Sequence, residues 1–282
     1  MIEFESVIHM SAPSTTIALQ SGGAEARLAM ALEELDRERR AVGEIQRLLL
    51  PASLPEIPGF EMPPYYRPSA FASGDYYDVV PLIDDHWGFI VADVAGHGTP
   101  AAVIMTVMRT LLHAELPSSR SKPASAFLER MNAVMSATYL RHGLFVTVWA
   151  AMLNSRARRL TYVSAGHPPP RLLRRGSVSG LDAVGGLPLG IDPTATYEEA
   201  GVTLEPEDLL VVYTDGITES MRPGIDGPEL FGAQRLDRVL SECGSERTSA
   251  CAERVTQALA AFTNGAAPTD DQTMLVMRAG RY

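Results

Sequence analysis

One stretch, residues 88–105, constrains the fold of this chain more than any other. It starts with a short apolar run, residues 89–92, whose length and β-branched content predict a buried strand that ends on Asp93. A turn with two glycines follows. Thr99 and Pro100 then stand in the order of a helix N-cap and a first helical residue. The sequence therefore predicts a carboxylate at the end of a buried strand, in a tight turn that leads into a helix.

A carboxylate in such a place costs free energy unless a positive charge meets it, and a metal ion is a usual partner. The alternative is that Asp93 only caps the turn. Further acids bear on this choice because each lies next to a strand-like apolar run. They are Asp75 and Asp78 before a run at 79–80, Asp215 after residues 209–214, and Asp270 with Asp271 before residues 272–277. Together they favour an all-oxygen site for Mg²⁺ or Mn²⁺ rather than for zinc.

Six sequence blocks stand in a fixed order between residues 73 and 276. They are SGDYYD, DVAGHGTPAA, SAGHPPP, GLPLGI, YTDGITES and DDQTML. In this order they resemble the SpoIIE-type branch of the PP2C (PPM) metal-dependent protein serine/threonine phosphatases. The resemblance implies an α+β fold, a PP2C-like αββα sandwich of two antiparallel sheets flanked by helices, here preceded by an N-terminal helix. The many short strands and two pairs of helices fit this architecture and do not fit βαβ alternation.

The resemblance also implies a site with two Mn²⁺ or Mg²⁺ ions between the sheets. Asp75 resembles the first ligand. Asp93 resembles the carboxylate that bridges both ions, with the backbone carbonyl of Val94 beside it. Asp215 and Asp270 resemble ligands on the other side, and we expect Asp75 and Asp93 to be essential for catalysis. Supporting positions near these ligands are expected for Asp78, His97, Gly216 and Asp271.

Three further residues carry open questions. His97 has two interpretations, a general acid near the metals or a residue that orients the turn by a hydrogen bond. His167 resembles the histidine of the third family block, for which we expect a structural or supporting role. Ser73 stands where the first block often has glycine, and serine tolerates a positive φ poorly.

The predicted reaction is metal-assisted hydrolysis of a phosphomonoester. The resemblance implies phosphoserine or phosphothreonine on a STAS-type anti-sigma-factor antagonist, in a bacterial partner-switching pathway. One alternative is a catalytically silent scaffold that binds a regulatory partner, which loss of ligand acids would favour; none is lost. Another is a receiver domain, which needs a parallel sheet and usually a lysine near the acids, whereas Lys122 is the only lysine.

Composition restricts the partners and the location. The net charge of −10 argues against nucleic acid and against an anionic membrane surface as partners. The apolar stretches are too short to cross a bilayer, and no signal-peptide pattern opens the chain. Cys243 and Cys251 suggest neither a disulfide framework nor a metal site. We therefore expect a cytoplasmic protein without a membrane span.

Three segments are expected: a flexible N terminus (1–23), a regulatory or dimerisation helix (24–51) and the phosphatase domain (52–282). Within the second, a helix is predicted over residues 24–50. Its heptad seam holds Leu28, Leu32, Leu35, Arg39, Val42, Gln46 and Leu49. The pattern fits a homodimer through this helix, in which polar seam residues make pairing switchable, or an amphipathic helix on its own domain.

Several local elements are predicted within the phosphatase domain. A hairpin is expected over residues 79–93 with its turn at 84–86, and helices are expected over 99–116 and 123–139. The acids and glycines of residues 217–229 indicate an exposed loop. This insert resembles the family's flap near the substrate entry.

Overall fold

The structure is a computed structural model that describes residues 24–119, 123–139, 143–224 and 227–281. The predicted flexible segment 1–23 lies outside these residues. The chain divides into two units, one up to Glu38 and the other from Arg39 onward. Helix α1 (Ala24–Arg47) begins in the first unit and ends in the second.

The predicted N-terminal helix is present and ends at Arg47 rather than at residue 50. The backbone N–H groups of Leu48 and Leu49 instead bond to carbonyls three residues back, the tighter turn that often closes a helix. In the first unit the seam leucines are exposed, with Leu28 at 61% and Leu32 at 53% of full accessibility. Dimerisation through this helix stays a prediction.

The second unit contains two antiparallel sheets. In spatial order the first sheet is β3 (Tyr76–Pro81), β4 (His86–Val94), β5 (Val146–Asn154), β6 (Arg159–Ala165) and β9 (Ala200–Thr203). The second is β1 (Phe60–Glu61), β13 (Gln272–Ala279), β10 (Leu209–Tyr213), β7 (Arg171–Arg174) and β8 (Ser177–Gly180), and β2 (Pro64–Arg67) also pairs with β13. The predicted hairpin is confirmed as β3 and β4.

Helices cover the outer faces of the sheets. The remaining helices are α2 (Thr99–Ser119), α3 (Ala124–Thr138), α4 (Asp215–Thr218), α5 (Gly232–Ser241) and α6 (Thr248–Phe262). Within the predicted exposed loop 217–229, the structure instead forms most of a small hairpin, β11 (Met221–Gly224) and β12 (Gly227–Leu230). The prediction of a loop was wrong because these residues pair as strands, with Met221 opposite Leu230 and Arg222 opposite Glu229.

The core shows how the layers stack. On β10, Leu209 and Val211 pack in one apolar cluster with α5 and α6, whereas Leu210 and Val212 face the other cluster. That second cluster also contains the strands of the first sheet together with α2 and α3. Alternation along one strand therefore places the two sheets against each other with helices outside, which confirms the αββα sandwich.

The two cysteines are paired with each other, which the sequence did not suggest. The structure joins Cys243 and Cys251 in a disulfide with their Cα atoms 5.4 Å apart, and both are fully buried. Cys243 follows the end of α5 and Cys251 lies in the first turn of α6. The turn between these packed helices brings the residues together, a contact that their spacing in one helical region does not predict.

Candidate metal centre

The four predicted ligand acids come from neighbouring strand ends in both sheets. Asp75 directly precedes β3 and Asp93 is the next-to-last residue of β4, and these strands are paired so that Tyr76 faces Ala92. Asp215 follows β10 and Asp270 precedes β13, which are also paired. Because the two sheets pack face to face, the acids converge at one edge of the sandwich.

Asp75 connects the sheets directly. Its Oδ2 accepts hydrogen bonds from the hydroxyls of Thr214 (2.8 Å) and Thr273 (2.6 Å), beside β10 and on β13. Its Oδ1 is buried and has no hydrogen-bond partner among the described residues. Burial raises the pKa of Asp75 to about 8, and the two threonine bonds oppose this rise. A buried carboxylate oxygen left free in this way fits a cation that it can ligate.

The remaining acids repel one another. Burial, followed by the charges of Asp75 and Asp215, raises the pKa of Asp93 to about 10. Burial, followed by the charges of Glu219 and Asp270, raises the pKa of Asp215 to about 6, and a hydrogen bond with Asp93 opposes this rise. Carboxylates pressed together like this are stabilised in their charged form by a bound cation.

His97 lies at the rim of this group. Its side chain is exposed, on the turn between β4 and α2. Burial is the main cause that raises the pKa of Asp270, and the charge of His97 acts in the opposite direction. The structure therefore places His97 beside the acids, and both interpretations of its role stay open.

Asp271 anchors a loop. Its Oδ1 accepts hydrogen bonds from the backbone N–H of Ser69 (2.7 Å) and from the Ser69 hydroxyl (2.9 Å). Its Oδ2 accepts a hydrogen bond from the backbone N–H of Gly74 (2.9 Å). With both oxygens engaged, Asp271 supports the loop before Asp75.

Two glycines allow backbones to meet at the site. A Cβ atom on Gly216 would lie 2.0 Å from the carbonyl oxygen of Asp271. A Cβ atom on Gly74 would lie 2.9 Å from the carbonyl oxygen of Val94, the predicted backbone ligand. Both glycines are thus needed for close approach. The supporting role of Gly216 at a metal site stays a prediction.

Asp78 has partners away from the other acids. Its Oδ2 accepts a hydrogen bond from the Tyr76 hydroxyl (2.7 Å) and lies 2.9 Å from Nε2 of His113 on α2. Side chains alternate along a strand, so Asp78 shares the helix-facing side of β3 with Tyr76. The structure therefore does not bring Asp78 to the predicted ligands. The sequence gives no signal for the His113 contact, which joins residues far apart in the chain.

Ser73 and His167 take structural roles. Ser73 does not adopt a positive φ. Its hydroxyl accepts a hydrogen bond from the backbone N–H of Asp75 (3.0 Å). Serine at this position is therefore compatible with the turn. His167 is buried, its Nδ1 is hydrogen-bonded to the Thr147 hydroxyl (3.0 Å), and Thr147 is paired with Asp93. Burial lowers the pKa of His167 to about 3, so the ring is neutral.

The residues fit divalent cations in donor chemistry. Among the described residues, no three His, Cys, Asp or Glu side chains already surround one point. Mg²⁺ keeps several waters and takes few carboxylates, so a closed protein cage is not required for such an ion. The free oxygen of Asp75, the carbonyl of Val94 and three mutually repelling carboxylates provide the oxygen donors.

Comparison with known proteins defines the class. Residues 83–280 match the family described as Stage II sporulation protein E (SpoIIE), which is well over half of the chain. The chain therefore belongs to the SpoIIE family, and it shares the fold of the PP2C domains among the solved structures.

Two relatives and two structures show the extent of the similarity. The chain is 26% identical to Protein IcfG of Synechocystis sp. over 268 residues, which is 86% of this chain and 41% of that protein. It is 29% identical to phosphoserine phosphatase RsbU of Bacillus subtilis, over 66% of this chain and 55% of that protein. The chain thus spans about half or less of either relative.

Among solved structures, the SiaA-PP2C domain of Pseudomonas aeruginosa superposes with a TM-score of 0.77 at 22% identity, covering 89% of this chain and 99% of that chain. The phosphatase domain of SpoIIE from Bacillus subtilis gives a TM-score of 0.66 at 19% identity, covering 78% and 63%. At these identities the likeness supports the shared fold.

Proposed function

We propose that this protein is a metal-dependent phosphatase that hydrolyses phosphoserine and phosphothreonine in proteins. The observation that carries the proposal is the buried Oδ1 of Asp75, which lies near Asp93, Asp215 and Asp270 and has no hydrogen-bond partner in the part of the chain that the structure describes. The relative RsbU, named a phosphoserine phosphatase, supports the substrate class.

Two Mn²⁺ or Mg²⁺ ions would be held by Asp75, Asp93, Asp215, Asp270 and the carbonyl of Val94. Bound there, they would supply water activation near neutral pH and charge stabilisation for the phosphoryl group. The protein's own contribution is orientation. Thr214 and Thr273 fix the rotation of the Asp75 carboxylate, and Asp271 holds the preceding loop. His97 at the open rim either transfers a proton to the leaving oxygen or orients the turn.

We propose a phosphorylated STAS-type anti-sigma-factor antagonist as the substrate, in a cytoplasmic partner-switching pathway. Support comes from the family resemblance and from the relatives RsbU and RsbP, both named phosphoserine phosphatases. No helix among the described residues is long and apolar enough to span a membrane. We further propose that residues 52–282 are the phosphatase domain and that residues 24–51 dimerise and regulate it.

A catalytically silent scaffold is the second candidate. The observation that favours it is that no three ligand side chains of the described residues are already arranged around one point. A scaffold of this kind would bind the regulatory partner but release no phosphate.

The test uses three substrates with Mn²⁺ present. A phosphoserine peptide, a phosphotyrosine peptide and a STAS-type protein phosphorylated on serine are incubated with the full chain, and released phosphate is measured. We expect release from both serine substrates, with the higher kcat/KM on the STAS-type protein, because docking adds binding energy. Release from phosphotyrosine alone would contradict the proposal, and binding of the STAS-type protein without any release would favour the scaffold.

A further inference from the structure

The end of helix α1 packs against the segment that carries Asp75. Gln46, 3% exposed, lies in the last turn of this helix. Its Nε2 donates a hydrogen bond to the backbone carbonyl of Ser73, and the backbone N–H of Ser73 donates to its Oε1 at 2.8 Å. One side-chain amide thus satisfies both backbone groups of one residue, as a neighbouring strand does in an antiparallel pair.

Two more residues on the same face of α1 bring the helix close. A Cβ atom on Gly43 would lie 1.9 Å from the carbonyl oxygen of Phe71, so only glycine permits this approach. The guanidinium of Arg40 lies 4.7 Å from the centre of the Phe71 ring, within cation–π range. Arg40, Gly43 and Gln46 follow one another at three-residue intervals, which places them on one face.

The contact continues to the metal centre in two steps. Gln46 fixes the backbone of Ser73, and the Ser73 hydroxyl accepts the backbone N–H of Asp75 at 3.0 Å. From the other side, Asp271 holds Gly74. The loop before Asp75 is therefore fixed between α1 and the start of β13. Without Gln46, the N–H and C=O of buried Ser73 would lose these hydrogen bonds, and the loop would shift to find others.

We propose that Gln46 is a positioning residue of the metal centre, which holds residues 73–75 so that the free oxygen of Asp75 faces the cation. This inference rests on the proposed role of Asp75 as a metal ligand. In the heptad pattern the same glutamine is a polar interruption of an apolar seam. In the structure its side-chain amide instead forms hydrogen bonds within its own chain, to the backbone of Ser73.

The test is Mn²⁺ binding by isothermal titration calorimetry on the full chain. Gln46→Met keeps the length of the side chain and removes both hydrogen bonds. As a control, Glu44→Met introduces methionine at an exposed position of the same helix. We expect Gln46→Met to weaken Mn²⁺ binding by about 10-fold, as for other supporting residues of metal sites, and Glu44→Met to bind like the wild type. The rate of phosphate release by Gln46→Met should return towards that of the wild type at high Mn²⁺.

Thermal unfolding in EDTA shows whether Gln46→Met is folded. If it is not, Gln46→Glu decides by the same titration, because it keeps Oε1 as the acceptor and replaces the donor to Ser73 by a carboxylate oxygen. Wild-type affinity in the folded variant would overturn the inference while leaving the proposed function intact. Absence of Mn²⁺ binding by the wild type would instead contradict the metal centre itself.

Discussion

The hydroxyls of Thr214 and Thr273 donate hydrogen bonds to one oxygen of Asp75, and the other oxygen has no partner among the residues that the structure describes. Neither threonine resembles a catalytic residue in the sequence, yet both orient the carboxylate that bridges the sheets. The consequence is a group of acids whose charge must be balanced either by a bound cation or by protons. Free of metal, the acids retain protons instead, and this gives the individual residues a measurable pH dependence.

Asp93→Asn should stabilise the metal-free protein at pH 8. The pKa of Asp93 is raised to about 10 in the fold, so between pH 4 and 10 the folded state holds a proton that the unfolded state lacks. Stability therefore falls as the pH rises through this window, and asparagine removes the effect. In urea with EDTA, we expect a gain of roughly 0.5–2 kcal/mol at pH 8 that vanishes near pH 4. A less stable variant at pH 8 would contradict the arrangement of the acids.

His167→Gln should reduce the loss of stability in acid. The pKa of His167 is lowered to about 3, whereas an unfolded histidine titrates near 6.5. The contribution of neutral His167 to the free energy of unfolding is thus complete above pH 6.5 and is lost as the pH falls towards 3. Between pH 7 and 5, the wild type should lose up to about 1.4 kcal/mol per pH unit more than the variant. Urea unfolding measures this, with His86→Gln as the control; parallel curves for wild type and His167→Gln would contradict it.

At the scale of elements, the disulfide joins the end of α5 to the start of α6. A cross-link stabilises by restricting the unfolded chain, by about 2–3 kcal/mol for a loop this short. We expect dithiothreitol to lower the free energy of unfolding by that amount. The double variant Cys243→Ala/Cys251→Ala should show no response to the reductant. An equal response in both proteins would show that the reductant acts elsewhere.

Strand-end acids could be predicted from the sequence because a buried apolar run and the residue that ends it are adjacent in the chain. Asp75, Asp93, Asp215 and Asp270 were found in this way, and the sandwich explains their convergence. Contacts between segments that are distant in the chain leave no such pattern in the sequence. The bond between Asp78 and His113 and the hold of Gln46 on Ser73 each join separate elements, and only packing brings them together.

The β11–β12 hairpin shows the same limit at the element scale. Glu229 pairs with Arg222 and Arg235, and both guanidiniums lie over the ring of Phe262 on α6, 4.5 and 4.9 Å from its centre. Acids and glycines alone predict a loop here. The charges that fix the hairpin against α6 are apparent only once the helix is in place.

For the whole molecule, the open question is assembly through α1. Leu28, Leu32 and Leu35 are exposed along the predicted seam. We expect the full chain to sediment as a dimer and Leu32→Glu as a monomer, because a buried charge opposes pairing. Glu34→Gln, off the seam, is the control. Deletion of residues 1–38 removes these leucines but keeps Gln46, and we expect it to give a monomer as well. A monomeric wild type would contradict dimerisation.

The central claim is that the acids of the sandwich edge form a metal-dependent phosphatase site. The most direct measurement is hydrolysis of p-nitrophenyl phosphate by the full chain with Mn²⁺, with EDTA, and in Asp93→Asn. Asp84→Asn is the matched control, because Asp84 lies in the β3–β4 turn at φ 50°, which asparagine tolerates.

We predict hydrolysis by the wild type and by Asp84→Asn with Mn²⁺, none with EDTA, and a loss of roughly 100-fold or more in Asp93→Asn. Hydrolysis that neither EDTA nor Asp93→Asn reduces, or its absence from the wild type with both Mn²⁺ and Mg²⁺, would contradict the account.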